Sequence, residues 1–353
     1  MSISKENNFD LIRLLAAIQV MILHAGAHLQ IHYSNTTDLI LELIKFFPGV
    51  PVFFTISGFL ILWSYERNKK QWVKFYYNRM LRIYPALLVC LLLTVCVLLA
   101  FGIVNTNQLL SKNIFFWLMS QATFLQFYTP DVLRSFGVGN PNGSLWTISL
   151  ELQFYAIIPV LYYLFFHSTR ALIQYLMLIL VMGISIGLYV WASALPQEEL
   201  LSKCMSIFVL PYLYNFIFGM IIYKYWAHLK KKIEGKGWYW LAFYLLYSLV
   251  FSSWAQLYTP DYWPNLWGFI ANLMLAITVV SIAYTSTSFS NRLLNGWDFS
   301  YGIYIYHMLM VNIFVQLGCI ERYEYLLLAF GLTLVLAVCS WFFVERVALK
   351  WKY

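Results

Sequence analysis

Arg13 and His24 stand in one otherwise apolar run, Phe9-Asp-Leu-Ile-Arg13-Leu-Leu-Ala-Ala-Ile-Gln-Val-Met-Ile-Leu-His24, with ten residues between them. A guanidinium and an imidazole are costly in hydrocarbon, so their presence on a membrane-crossing helix points to function. A helix rises about 1.5 Å per residue, which sets the two roughly 16 Å apart along its axis. Arg13 then handles a substrate near the entry face, and His24 lies about 21 Å in, in the outer half of a core about 30 Å thick. A neutral imidazole at that depth is the side chain best suited to take a proton from a hydroxyl near neutral pH. His28 and His32 follow at helical spacing. Without a carboxylate or cysteine pattern to join them, that stripe is a weak metal signal, and no metal is expected.

The second buried ionisable group is Glu151, in Asn142-Gly-Ser-Leu-Trp146-Thr-Ile-Ser-Leu-Glu151-Leu-Gln-Phe-Tyr155. Counted from the outer end of its span it is about 12 Å deep, and His24 is about 9 Å from the same face. A carboxylate paired with His24 would hold the imidazole tautomer and stabilise the imidazolium. The competing expectation is a hydrogen bond from Glu151 to its helix neighbour Tyr155. On the inner side, Lys74-Phe-Tyr-Tyr-Asn-Arg79-Met-Leu-Arg82-Ile-Tyr84-Pro85 follows Arg67, Lys69 and Lys70. Arg79 and Arg82 share a helix face and suit bidentate phosphate recognition. The lysines serve equally well as a membrane-surface charge. Phe47-Pro48-Gly-Val-Pro51-Val-Phe-Phe-Thr-Ile-Ser57-Gly58 holds two prolines and a Ser-Gly pair in one span. That composition predicts a weakened, kinked helix beside a cavity, with Gly58 allowing close helix approach. His307, in Ser300-Tyr-Gly-Ile-Tyr-Ile-Tyr-His307, is a further intramembrane histidine whose role the sequence leaves open.

The elements that must position these groups are membrane helices. The 353 residues are 61% hydrophobic and 11% charged, well below the quarter charged of soluble domains, so a polytopic membrane protein is expected. The net charge of +8 reads as cytoplasmic-loop Lys and Arg rather than a nucleic-acid surface. Five cysteines without regular spacing make no disulfide framework. Acidic residues before the first apolar run, and its continuation past His24, argue for an uncleaved first span rather than a signal peptide.

Ten segments satisfy the roughly 20-residue requirement, near 10–31, 41–64, 83–104, 143–166, 171–194, 205–226, 238–255, 265–285, 300–318 and 325–344. With both termini inside, only Lys45, Lys112, Arg134, Lys203 and Arg322 of the 23 Lys and Arg fall outside, as the positive-inside rule requires. Segment 114–130 is apolar but short, and reads as an interfacial or re-entrant piece of the long outer loop 105–142. That loop ends in the turn formers Gly137-Val-Gly-Asn-Pro-Asn-Gly143, and is either part of an acceptor site or a plain connector. There is no internal repeat and no soluble domain, so 1–353 is one membrane domain. Nothing in the sequence fixes an oligomeric state.

Taken in order, these stretches resemble the acyltransferase-3 family of integral membrane acyltransferases. The likeness rests on Arg13 and His24, then Phe54-Thr-Ile-Ser-Gly-Phe-Leu60, Arg79-Met-Leu-Arg82-Ile-Tyr-Pro85, Gly143-Ser-Leu-Trp-Thr-Ile-Ser-Leu-Glu151 with Phe154-Tyr155, Ser300-Tyr-Gly-Ile-Tyr, and Phe343-Val-Glu345-Arg346. Val347 departs from the proline often found there, and the hydrolase-like domain of some members is missing. The resemblance implies an all-α bundle of about ten spans in a bacterial inner membrane. It implies a cytoplasmic acyl-CoA donor, usually acetyl-CoA, and as acceptor a sugar hydroxyl on a lipid-linked or cell-surface glycan such as lipopolysaccharide O-antigen.

By that likeness His24 and Glu151 are the expected catalytic pair. Arg13, Arg79, Arg82, Tyr84, Ser57 and Gly58 are expected on the donor. Asn142, Trp146, Tyr155 and His307 are expected toward the acceptor. The hydroxyl attacks the thioester directly or through a covalent acyl-histidine. The rival class, a secondary transporter of glycans, calls for a coupling-ion site and internal symmetry.

Overall fold

The computed structural model describes residues 3–33, 35–69, 71–167, 170–196, 199–255 and 266–352. Lys70, expected in the basic inner loop, lies outside them. The fold is all-α, with no strand among the described residues. The long helices are α1 (Phe9–His28), α2 (Gly49–Asn68), α3 (Trp72–Ala100), α4 (Trp146–Phe166), α5 (Ala171–Ser193), α6 (Val209–Lys224), α7 (Gly237–Ala255), α8 (Leu266–Ala283), α9 (Ser300–Gln316) and α10 (Tyr323–Ser340). Among the described residues, seven helical segments are long and apolar enough to cross a membrane: Phe9–His28, Ile40–Asn68, Trp72–Ala100, Gly143–Phe166, Ala171–Ser193, Leu200–Lys224 and Tyr323–Leu349. The other three segments expected to span are helical too, as α7, α8 and α9, and are shorter at 19, 18 and 17 residues. Segment 114–130 opens with a ten-residue helix, Lys112–Gln121, too short to cross by about half.

The chain forms two compact units. One comprises residues 1–16, 43–72 and 151–296. Here α2 and α6 meet without side chains between them. A Cβ on Gly58 would lie 2.0 Å from the Phe216 carbonyl oxygen, and one on Gly219 would lie 2.1 Å from that of Thr55. Small residues permit such backbone approach in membrane bundles. Phe216 is stacked between Phe54 and Phe154, with ring centroids 4.5 and 4.0 Å away. Asn8 fastens the N-terminal segment, donating to the Thr285 carbonyl at 2.8 Å and accepting from the Ser290 N–H at 2.9 Å.

The helix does not break at Ser57-Gly58: α2 runs without interruption from Gly49 to Asn68. Pro48 caps its N-terminus and Pro51 sits in its first turn, where a missing N–H breaks no helical bond.

The other unit comprises residues 17–42, 73–150 and 297–353. Its centre is α9, where Ser300–Phe314 is almost continuously buried. Gly302 brings α9 against α10, since its Cβ would lie 2.8 Å from the Ala337 Cα. The helix Lys112–Gln121 buries Ile114 and Trp117 with Leu98, Leu133, Phe136 and Leu309, and leaves Phe115, Phe116 and Met119 exposed. The turn-rich stretch 137–142 is strapped to α9. Asn312 accepts from the Val138 N–H at 2.8 Å and donates to the Asn140 and Pro141 carbonyls at 2.9 and 3.0 Å, while Gln316 accepts from the Gly137 N–H at 2.9 Å. Positive φ at Gly137 and Gly139 (56° and 87°) makes this turn possible.

Candidate functional site

His24 sits near the end of α1 with its imidazole half-buried. Within its unit, its Nδ1 lies 3.0 Å from Nε2 of His307 on α9, and the two rings meet edge to edge, with centroids 5.3 Å apart and 30° between planes. His307 is fully buried, at 0% exposure. Its Nδ1 is 2.8 Å from the Tyr304 carbonyl oxygen and 3.3 Å from that of Ile303. Both its ring nitrogens are therefore engaged by protein groups, and the ring presents no exposed surface. The His28 ring lies 6.2 Å from that of His24, and His32 falls beyond the end of α1. Among the described residues no three His, Cys, Asp or Glu side chains are grouped to hold a metal ion.

The Asn142–Trp146 motif builds the wall behind this pair. Asn142 donates to the Ile305 carbonyl at 2.7 Å and accepts from the Ser144 hydroxyl at 2.7 Å; Ser144 also reaches the Tyr304 carbonyl at 3.1 Å. Thr147 donates to the Tyr304 hydroxyl oxygen at 2.7 Å, and the Cys90 thiol lies 3.3 Å from the Ile305 carbonyl. Asn142 is 4% exposed and both ends of its amide are committed, so it supports α9. Trp146 is half-buried.

Arg79 and Arg82 lie on α3 as the i, i+3 spacing requires. Arg82 donates to Asp298 at 2.7 Å, and Asp298 in turn accepts from the Ser300 hydroxyl at the start of α9. The Asp298 side chain is 11% exposed and that of Arg82 30%. The Arg79 guanidinium lies 5.7 Å from the centre of the Phe75 ring. Pro85 inside α3 cannot donate to the carbonyl of Leu81, which loosens the turn carrying Arg82. Tyr84 donates to the Ala122 carbonyl at 3.1 Å and so fastens the end of the Lys112–Gln121 helix. A second buried carboxylate, Glu345, ends a π-helical turn after α10. It accepts from Ser340 at 2.8 Å, and Ser340 lies 3.3 Å from the Tyr306 hydroxyl.

In the first unit, Arg13 is ion-paired with Asp10, one turn earlier on α1. Glu151 accepts a hydrogen bond from Tyr155, one turn later on α4, which is the partner weighed against His24 for it. Ser57 is half-buried and Gly58 is packed on α6. This unit also holds a cavity of about 620 Å³ lined by Ile3, Lys5, Trp63, Glu66, Arg67, Tyr223 and Lys224. Glu66 accepts from Lys224 at 2.9 Å and from Tyr223 at 2.8 Å. The cavity thus carries an excess of positive charge.

Asp298 and Asn312 were missed in the sequence. With 15 acids in 353 residues, each carboxylate beside an apolar run deserves scrutiny, and Asp298 two residues before Ser300 had that signal. Asn312, a lone amide inside an apolar helix, had it more weakly.

Comparison with known proteins gives a match of the acyltransferase domain of the acyltransferase-3 type to residues 6–345. Nodulation protein 10 of Rhizobium leguminosarum bv. viciae is 32% identical over 98% of this chain and 93% of its own length. The O-acetyl transferase of Shigella phage Sf6 is 28% identical over 97% of this chain and 96% of its own. The peptidoglycan O-acetyltransferase OatA of Listeria monocytogenes is 28% identical over 76% of this chain, and the match spans 45% of that longer protein. No solved structure matches the chain.

Proposed function

The chain belongs to the acyltransferase-3 family, and from that premise we propose that it is a membrane O-acetyltransferase moving an acetyl group from acetyl-CoA to a glycan hydroxyl. The observation that carries the reading is the match over residues 6–345, which takes in His24 and both arginines of α3. The likeness along nearly the full length of a phage O-acetyl transferase supports the same chemistry. The protein lies in a bacterial inner membrane with both termini in the cytoplasm, an orientation that the distribution of Lys and Arg favours. The acceptor is a sugar on a lipid-linked or cell-surface polysaccharide of the O-antigen kind.

In this reaction His24 takes the proton of the acceptor hydroxyl. The oxygen attacks the thioester carbonyl carbon, the C–S bond breaks, and the thiolate of CoA receives the proton from His24 as it leaves. Direct transfer suits a half-buried imidazole already hydrogen-bonded on its inner side. Arg79 and Arg82 hold the donor phosphates. A guanidinium has five N–H donors in a fixed fork, and Asp298 engages that of Arg82 through one terminal nitrogen. The roles of Arg13 at the donor and of Glu151 as a catalytic residue rest on their motif positions. The test is acetyl-CoA binding: purified protein should gain thermal stability with added acetyl-CoA, and mass analysis should find acetyl groups on the surface glycan only of cells that express it. A glycan transporter would show neither.

A further inference from the structure

We propose that His307 is a positioning residue that fixes His24 as the Nδ1–H tautomer, so that His24 turns a bare Nε2 toward the acceptor hydroxyl. The inference rests on the reading of His24 as the base and adds the device that makes it one.

The tautomers follow along the two rings, from the α9 backbone to His24. Carbonyl oxygens only accept hydrogen bonds. The His307 Nδ1, 2.8 Å from the Tyr304 oxygen and 3.3 Å from that of Ile303, therefore carries the proton. Its Nε2 is then a lone pair, because a second proton would place a cation in a site with 0% exposure. That lone pair faces the His24 Nδ1 at 3.0 Å, so the His24 Nδ1 is the donor, and the remaining nitrogen of His24, Nε2, is unprotonated. Tautomers are set in this way by the bond that the second nitrogen makes.

Without a partner, an imidazole side chain favours the proton on Nε2, which would turn an N–H toward the hydroxyl and leave His24 unable to accept. Ser144, which donates to Asn142, lies 3.1 Å from the Tyr304 oxygen that starts the chain, and the next carbonyl, that of Ile305, is held by Asn142 at 2.7 Å. The Asn142–Ser144 motif thus reaches the base through α9. When His24 takes the acceptor proton, its Nδ1–H continues to donate to the neutral His307, which stabilises the imidazolium until the thiolate takes that proton. This is the part a carboxylate plays in hydrolase triads, filled here by a neutral histidine that never meets substrate.

The experiment compares wild-type protein with His307→Gln, His307→Leu and His24→Ala, purified in lipid discs. Acetyl-CoA is the donor, and envelope polysaccharide of the expressing strain is the acceptor. Gln sets an amide oxygen near the place of Nε2 and can still accept from His24; Leu cannot. His307→Leu should lose kcat by about 100-fold or more with KM for both substrates unchanged, and His307→Gln should stay within about tenfold of wild type. Independently of turnover, ¹⁵N spectra of histidine-labelled protein, assigned by difference from His24→Ala, should show His24 protonated on Nδ1 in wild type and Gln, with the proton moved to Nε2 in Leu. Nε2 protonation of His24 in the wild type overturns the proposal, as does a Gln variant no better than Leu. Loss in His24→Ala with retention in His307→Leu overturns it alone, whereas wild-type turnover by His24→Ala removes the base reading with it.

Discussion

Adding one methyl group at Gly58 should destabilise the protein although alanine is the better helix former. A Cβ there would sit 2.0 Å from the Phe216 carbonyl oxygen, 2.9 Å from its carbonyl carbon and 3.1 Å from its Cα. All three are backbone atoms and cannot rotate away. Ordinary contact requires more than 3 Å, so α2 and α6 must part by over about 1 Å, a gap that forfeits a quarter to a half of the dispersion energy between the atoms concerned. Overpacking of this kind costs about 1–3 kcal/mol, and the gain in helix propensity returns up to about 1 kcal/mol. With the full propensity gain the net loss for Gly58→Ala is then about 0–2 kcal/mol, which is about 1–3 kcal/mol worse than the same change at an uncrowded helical glycine, and Gly219→Ala, which would meet the Thr55 carbonyl oxygen at 2.1 Å, should match it. Gly183 and Gly187 on α5 supply the control, since a Cβ at either meets nothing within 4 Å. Gly183→Ala and Gly187→Ala should be neutral or more stable by a few tenths of a kcal/mol. Thermal unfolding in one detergent compares the four. Equal midpoints for Gly58→Ala and Gly183→Ala would refute the close α2–α6 packing.

Other outcomes follow from the site. Arg82→Ala should weaken donor binding and also lower stability by about 1–3 kcal/mol, because Asp298, 11% exposed, loses its counter-charge. The double variant Arg82→Ala/Asp298→Ala should regain only part of the stability, because Ser300 also loses its acceptor, and none of the donor KM, as read by unfolding and by acetyl-CoA titration. Asn312→Leu removes the acceptor for the Val138 N–H and the donor to the Asn140 and Pro141 carbonyls. Amide exchange across 137–142 should rise by an order of magnitude or more, the equivalent of about 1.4 kcal/mol. Asn142→Ala should depress kcat with little change in acceptor KM, since its amide supports α9 rather than a sugar; a change in KM alone would restore it as a binding residue.

The helices were legible in the sequence because each apolar run is long and is punctuated by charge or by turn formers. The short helix Lys112–Gln121 was recognisable as too short to span, and Gly58 as a point of close approach, because both follow from local composition. The mates of the functional side chains were hidden. His24 and His307 are 283 residues apart, and Arg82 and Asp298 are 216 apart. No periodicity links such pairs, since the choice is made by which helix faces pack together. The effect of Pro48 and Pro51 on their span was misread for a related reason. Prolines at the N-terminus of a helix break nothing, and that register shows only when the first turn of α2 is placed at Gly49. For Glu151 the helix neighbour Tyr155 was in plain view one turn away.

In the proposed reaction His24 is the group that moves the proton. Release of CoA thiol from acetyl-CoA, measured with glycan acceptor and purified protein in lipid discs, tests that most directly. His24→Ala should fold, bind acetyl-CoA as the wild type does, and release thiol about 100-fold to 10,000-fold more slowly. A folded His24→Ala protein that acetylates the glycan at the wild-type rate would contradict the account.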